Sequence, residues 1–391
     1  MISTALKIFN SSSGRKETFK PLRAGSAKVY VCGVTPYDTT HLGHAFTYVS
    51  FDALIRYLCF NGVSVSYTQN VTDIDDDVLR KAKEQGLDWK RLGEFWTKRY
   101  LDDTKRLNVM RPTYYVKATS SVPQIVKMVG RLVKMGFAYE SGGNVYFDVG
   151  KFPRYGSLSH FTADQMKLLL KERGGDPEDP KKRNPLDFIV WQGRREGEPF
   201  WNTPWGKGRP GWHIECSAMI NEYLGDQIDI HGGGRDLIFP HHESEIAQSE
   251  SYTGKRPFSR YFIHTAMVMY RGEKMSKSLG NLVLVSDLLK KHSPNAIRWM
   301  LLSHRYRQVW EYMPDELDEA ELCVKSIERR INGHASRAAG DINKAAFSEF
   351  SKAMDDDLNT PEALRVIKSL GGSGKDPETT KQMMKILGFF A

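Results

Sequence analysis

The 391-residue chain is 40% hydrophobic and 26% charged, long enough for two or three domains and apolar enough for a sizeable core. No apolar run approaches the roughly 18 residues of a membrane-spanning helix, and Met1 to Lys7 lacks the continuous apolar stretch of a secretory signal. Lys and Arg outnumber Asp and Glu by 56 to 47, a net +9 that suits a polyanionic partner, while four scattered cysteines argue against a disulfide framework and for the reducing cytoplasm.

Lys28 to Val34 (KVYVCGV) is a β-branched run that reads as a buried parallel strand. His44 to Phe60 has helical spacing through Val49, Leu54, Tyr57 and Leu58, with Gly62 as a stop, and Val63 to Val71 is strand-like again. Strand, helix, strand at this spacing predicts a βαβ unit and a parallel sheet. Ser121 to Gly136 is an amphipathic helix with Ile125, Val129, Leu132 and Val133 on one stripe, and Asn144 to Val149 is a strand. Glu172 to Asn184 mixes glycine, proline and charge without periodicity and reads as a loop. Strands are expected again at Gln227 to His231 and Tyr261 to Tyr270, with a helix at His241 to Tyr252. Beyond Leu279 the pattern is helical, with cap-and-proline starts at Ser293-Pro294 and Thr360-Pro361-Glu362 and a linker at Asn332 to Ile342. The expected fold is α/β, a Rossmann-like doubly wound parallel sheet split by an α/β insertion and followed by an all-helical C-terminal region. The corresponding boundaries are 1–114 and 206–280 for the sheet domain, 115–205 for the insertion, 281–331 for a helical region and 343–391 for a short helical domain.

Three groups of residues carry chemistry. His41-Leu42-Gly43-His44 falls between a strand's carboxyl end and a helix's start, where backbone N–H groups and the helix dipole favour phosphate. Two imidazoles add donors, and Gly43 admits a flat base. Lys274-Met275-Ser276-Lys277-Ser278 is a cationic loop able to follow charge onto a leaving pyrophosphate. Lastly, His241 and Glu245 lie four apart on one helix face, and Cys32 and Cys216 complete an acceptable zinc set, although each alone reads better as an ordinary buried or surface residue. His242 and Glu243 point elsewhere on an ideal helix and are not counted as ligands. Cys59 and Cys323, among apolar neighbours, are expected to be core residues. Asp73, Asp75 and Asp76 are expected to cap and to hydrogen-bond locally.

The histidine and lysine motifs, in this order on one α/β scaffold, resemble the signatures of class I aminoacyl-tRNA synthetases. Cys32-Gly33, Asn70 to Asp76 (NVTDIDD), Gly211 to Met219, Asp229 to Asp236 (DIHGGGRD) and Phe239 to Gln248 extend the resemblance to cysteinyl-tRNA synthetases over about residues 6–310. The resemblance implies that Cys32, Cys216, His241 and Glu245 bind one zinc ion that grips the substrate thiolate. It implies that Thr72, Trp212 and His231 line the cysteine pocket, and that His41, Gly43, His44, Asp229, Gly232 and Lys277 handle ATP, with Lys274 and Lys277 catalytic beside His41 and His44. Magnesium would arrive with ATP. Metal selection has a physical rationale: a pocket alone separates near-isosteres by roughly 10- to 200-fold, whereas zinc prefers thiolate over a neutral hydroxyl.

The acceptor is either tRNA(Cys) or, by similarity to the cysteine ligase of mycothiol biosynthesis, the amine of glucosaminyl-inositol. Pro36 within Thr35 to His44, Glu172 to Pro177 (ERGGDP), Asn281 to Ser286 (NLVLVS) and an end about 30 residues after Pro361 resemble the ligase. Lys182 to Phe188, Phe147 to Val149, Tyr155-Gly156 and Met354 to Pro361 resemble the tRNA enzyme. Lys290, Lys291, Arg298, Arg305, Tyr306 and Arg307 interleave charge with aromatic residues, a mix able to track a phosphate backbone. With the net +9, these favour tRNA(Cys) as partner. The 281–331 region would meet the acceptor stem, no full anticodon-binding domain is expected, and a cytoplasmic monomer is expected. A non-catalytic paralogue fits poorly, because the signature histidines, lysines and metal ligands are all intact.

Overall fold

The computed structural model describes residues 6–38, 40–275, 279–333, 342–374 and 376–390. Its centre is a five-stranded parallel sheet in the order Ser259–Thr265, Ile228–Gly234, Ser26–Val34, Ser64–Val71, Tyr114–Lys117. Successive residues of Ser26–Val34 feed opposite cores: Val29 and Val31 join one apolar cluster, Tyr30 and Cys32 the other. A parallel strand covered on both faces reads as an almost unbroken apolar run, as this one does.

From Ser26–Val34 the chain steps outward through Ser64–Val71 to Tyr114–Lys117, then returns on the other side as Ile228–Gly234 and Ser259–Thr265. This reversal opens a crevice at the carboxyl ends of Ser26–Val34 and Ile228–Gly234, the place where open α/β sheets bind ligands. The helix Leu42–Phe60 starts at that crevice, capped by His41, whose side chain accepts from Gly43 N. Close approach of this helix to the sheet requires Gly232, since a Cβ there would lie 2.2 Å from Phe51 Cζ.

Two elements differ from expectation. The single strand predicted at Tyr261 to Tyr270 is two, Ser259–Thr265 and Val268–Tyr270, because Ala266 turns away to bond Tyr306 O at 2.7 Å. The helix predicted from His241 begins at Glu243, after a π-turn at Ile238–His242 in which Phe239 is extended.

Between the sheet's halves, the helix Val122–Lys134 buries Ile125, Met128, Val129 and Leu132. A second, antiparallel sheet follows in the order Ala138–Ser141, Asn144–Phe147, Phe188–Gly193, Gly206–Pro210, Trp201–Thr203. Residues 172–184 include the last residue of the helix Ala163–Glu172 and then run as turns.

The C-terminal part is helical, with Pro294–Leu302, Pro314–Gly333, Lys344–Asp355, Thr360–Ser373 and Pro377–Ile386, except for the short strand Trp310–Glu311, which pairs with Val268–Tyr270. Ser293 caps as expected, accepting from Ala296 N, but the cap before Pro361 is Asn359 rather than Thr360. Most of the predicted linker, 334–341, lies outside the described residues.

The expected basic face on residues 290–310 is only partly available. Arg298 is buried at 1% exposure against Asp52, Leu107 O and Leu387 O. Tyr306 and Arg307 both bond Asp357, at 2.7 Å each. Cys323 is half-buried and Cys59 is exposed near the end of its helix, so Cys59 is not a core residue.

Candidate active site

One cavity of about 470 Å³ occupies the crevice. Cys32, Cys216, His241, Trp212 and Thr72 line one part of it; His41, Gly43, His44 and Lys274 line another.

The sulfur-rich end is assembled from four elements. Cys32 comes from the end of the first parallel strand, Cys216 from the helix Trp212–Tyr223, and His241 and Glu245 from the π-turn and the helix after it. The four ligand atoms lie within 4.8 Å of one another and all four residues are buried. His241 Nε2 is 3.1 Å from Glu245 Oε1, and Cys32 Sγ is 3.8 Å from the same oxygen. Trp212 stacks on His241 with ring centroids 4.3 Å apart. Burial pushes the Cys32 thiol and the Glu245 carboxyl well above their usual ranges and holds the His241 imidazole well below its own.

Thr72 follows the strand Ser64–Val71, its N–H bonded to Val34 O at 3.1 Å and its hydroxyl accepting from Asn70 Nδ2 at 3.1 Å. Asn70 also takes Gly33 N at 2.7 Å, and a Cβ on Gly33 would lie 1.6 Å from Asn70 O. Gly33 is therefore dictated by the close approach of these two strands where they line the cavity.

At the other end, the His41 and His44 rings stack at 3.7 Å. His41 Nδ1 accepts from Gly43 N at 3.1 Å, which assigns its proton to Nε2. Burial, with the neighbouring His44 adding to it, lowers His41 to about 2, and burial lowers His44 to about 4. Both rings are thus neutral hydrogen-bonding groups near neutrality, and His44 Nδ1 has no partner among the described residues. Lys274 ends the short strand Glu273–Lys274, with its carbonyl held by Asn281 Nδ2 at 3.2 Å. Farther on, Leu42 N bonds Val283 O at 2.8 Å and Val285 N bonds Thr40 O at 3.0 Å, tying the segment after the lysine loop to the histidine turn. Ser276, Lys277 and Ser278 lie outside the described residues.

Three expected site residues sit elsewhere. His231 is fully buried behind Glu245, its Nε2 2.9 Å from Glu245 Oε2, and orients that carboxylate instead of lining the cavity. Asp229 lies at the opposite end of its strand, where its carboxylate accepts from Leu22 N and Lys28 N. Gly232 serves helix packing, as above; Gly234 lines the cavity.

Conversely, His242 does reach the site. Its Nε2 is 3.3 Å from Cys32 Sγ and its Nδ1 is 2.9 Å from His264 Nε2. Cys32, His231, His242 and Glu245 make a second group with the proximity needed for a metal. His213 was also missed; its Nδ1 is 3.0 Å from His241 Nδ1. Of the three aspartates, Asp75 caps the helix Asp76–Gln85 as expected, but the other two make long-range contacts: Asp73 accepts from Thr119 N at 2.9 Å and from its hydroxyl at 2.6 Å, and Asp76 pairs with Arg209.

The family model described as tRNA synthetases class I (C) catalytic domain matches residues 18–322, and a DALR domain model matches residues 349–372. A protein named cysteine--tRNA ligase from Dehalococcoides mccartyi is 45% identical over 369 residues, 94% of this chain and 80% of that relative. One of the same name from Trichodesmium erythraeum is 44% identical over 94% of this chain and 78% of its own length. Among solved structures, Mycobacterium tuberculosis methionyl-tRNA synthetase with methionyl-adenylate superposes with a TM-score of 0.67 at 15% identity, covering 93% of this chain and 89% of that one. At that identity the likeness is one of fold.

Proposed function

Because the chain belongs to the cysteine--tRNA ligase family of class I synthetases, we propose that it activates L-cysteine with ATP and transfers the cysteinyl group to tRNA(Cys). One observation carries this reading: a single cavity joins a thiol–imidazole–carboxylate cluster to a stacked histidine turn and a lysine. A substrate held by its sulfur at one end has its carboxylate directed along the cavity toward nucleotide phosphates at the other.

The donor set fits zinc. Two cysteines, a neutral imidazole and a carboxylate, buried and mutually close, are the ligand types that zinc takes. Cys32, Cys216, His241 and Glu245 would hold the ion, with His231 orienting Glu245 from behind. When bound, zinc supplies a strong preference for a thiolate over a hydroxyl, which shape alone does not give. Thr72 and Trp212 flank the amino acid. His41 Nε2–H, His44 and Lys274 face the charge that develops as the carboxylate attacks the α-phosphorus and pyrophosphate leaves, a task the lysine motif assigns to Lys277 as well, while Gly43 lets the base approach. Magnesium enters with ATP. In the second half, a 3′-terminal ribose hydroxyl attacks the activated carbonyl and AMP departs.

Residues 1–114 and 206–280 form the catalytic domain of this reading, 115–205 the connective insertion, 281–331 the stem-contact region and 343–391 the helical C-terminal domain. A cytoplasmic monomer completes it; no described helix is long and apolar enough to cross a membrane.

Cysteine-dependent exchange of pyrophosphate into ATP tests activation, with serine expected to give none. Cys216→Ser is expected to lose bound zinc and to raise the KM for cysteine at least tenfold; unchanged metal content would remove Cys216 from the site. Offered tRNA(Cys) transcript and glucosaminyl-inositol together, the enzyme should charge the RNA, and acylation of the sugar amine alone would overturn the acceptor.

A further inference from the structure

The helix Trp89–Arg106 has a face that the reaction above leaves unused. Its inward side is Leu92, Gly93, Thr97, Tyr100, Asp103 and Thr104, all buried. Outward lie Arg91, Phe95, Lys98, Leu101 and Lys105, all exposed. Their spacing of three and four places them on one stripe, about 21 Å long at the helical rise. Residues 89–106 hold six basic side chains against three acidic ones, and one of the three, Asp103, is buried. Among the described residues Arg91, Lys98 and Lys105 take part in no ion pair. Phe95, 55% exposed, is braced edge-on by Trp96 at 4.9 Å.

The helix reaches the rim of the cavity through its inward face. Gly93 packs beside Pro36, with a Cβ there 3.9 Å from Pro36 Cγ, and the next residues, Tyr37 and Asp38, line the cavity. At the helix's far end Arg106 donates to Leu289 O at 2.9 Å, beside two exposed lysines, Lys291 and a Lys290 that pairs with Asp287 at 2.7 Å. Unneutralised cations around a braced aromatic ring are the means by which proteins follow a phosphate backbone and stack an unpaired base.

Resting on the tRNA reading, we infer that the outward face of Trp89–Arg106, continued by Lys290 and Lys291, docks the acceptor arm of the tRNA. Arg91, Lys98 and Lys105 meet phosphates, and Phe95 stacks on an unpaired base near the 3′ end.

The test measures binding of tRNA(Cys) transcript across a salt series, with cysteine-dependent pyrophosphate exchange as the control. The triple variant Arg91→Gln, Lys98→Gln, Lys105→Gln is expected to bind at least about tenfold more weakly, with a log–log salt slope shallower by about 2, and to keep its exchange rate. Phe95→Ala is expected to weaken binding about fivefold without changing the slope. Binding within twofold of the parent for both variants overturns the inference, as does an unmodified protein that fails to retain the transcript. An unrelated DNA duplex bound as tightly, and as sensitive to the substitutions, also overturns it by making the stripe a general polyanion surface. If the triple variant loses exchange, Lys98→Gln alone decides by the same two readouts. A protein that binds RNA through this stripe yet gives no exchange would leave the surface standing and sink the activation reading instead.

Discussion

Asp75 shows how burial and a helix cap compete at one residue. It caps Asp76–Gln85 by accepting from Asp77 N at 2.8 Å, yet burial outweighs that bond and raises its carboxyl to about 6. A carboxyl whose folded value exceeds its unfolded value contributes stability below the unfolded value, near pH 4, and loses that contribution as pH rises through about 6. Stability should therefore decline across this window by at most about 3 kcal/mol on account of this group. Asp75→Asn keeps a capping oxygen without the titration, so its urea midpoint should change less than the parent's between pH 4 and pH 7. Equal slopes in the two proteins would show that Asp75 does not titrate in this way. The site histidines behave differently, since His41 at about 2 and His44 at about 4 are already neutral at the start of most assay ranges. A rate change near pH 6 should accordingly survive substitution of either one.

At the scale of elements, Gly232 is where strand and helix set the site's dimensions. A Cβ at this position would lie 2.2 Å from Phe51 Cζ in the middle of Leu42–Phe60, the helix that carries His44. Gly232→Ala should destabilise the protein by about 1 to 3 kcal/mol through overpacking and should raise the KM for ATP by displacing that helix. Adding Phe51→Leu should recover much of both, and failure to recover would mean that the strand itself is disturbed. This position also marks a limit of what sequence shows. The DIHGGGRD run identifies a strand end, and alternation along the strand does not tell which residues of the run meet ligand. Asp229 enters at the strand's other end and His231 faces Glu245, so their distance along the strand decides their roles. His242 escaped detection because adjacent residues diverge on an ideal helix, whereas the π-turn with extended Phe239 brings both His241 and His242 onto the cluster. The grouping of Cys32, Cys216, His241 and Glu245 was readable only through the family resemblance, since spacing offered no more than the His241–Glu245 step of four, whereas the parallel sheet was readable from its β-branched runs.

At the scale of the whole molecule, one apolar cluster runs from Val29 and Val31 of the sheet through Leu42–Phe60 to Met383 and Phe389, so catalytic body and C-terminal helices share a core. Polar contacts fasten the same boundary. Tyr57 OH donates to Asp355 at 2.8 Å, Asp357 takes Phe9 N at 2.8 Å together with Tyr306 and Arg307, and Asn108 Nδ2 donates to Gly388 O at 2.7 Å. At the centre lies Arg298, paired with Asp52 and bonded to Leu107 O at 2.9 Å. A lone arginine within AIRWMLL, a run that is otherwise apolar, is itself a sign of an internal role. Removing one partner of a buried pair strands the other charge and typically costs about 3 to 5 kcal/mol. Arg56, 2.8 Å from the same Asp52 oxygen, offsets part of that cost, so Arg298→Met should fall at the lower end of the range. Asp52→Leu combined with Arg298→Met should be no less damaging than Arg298→Met alone, because Arg56 then loses its carboxylate and Met110 N its acceptor. The shared core further predicts that tryptophan fluorescence and far-ultraviolet circular dichroism will report coincident unfolding transitions in the parent protein. Separate transitions, or an Arg298→Met variant as stable as the parent, would show that the C-terminal helices are an independent attachment and not part of the catalytic body.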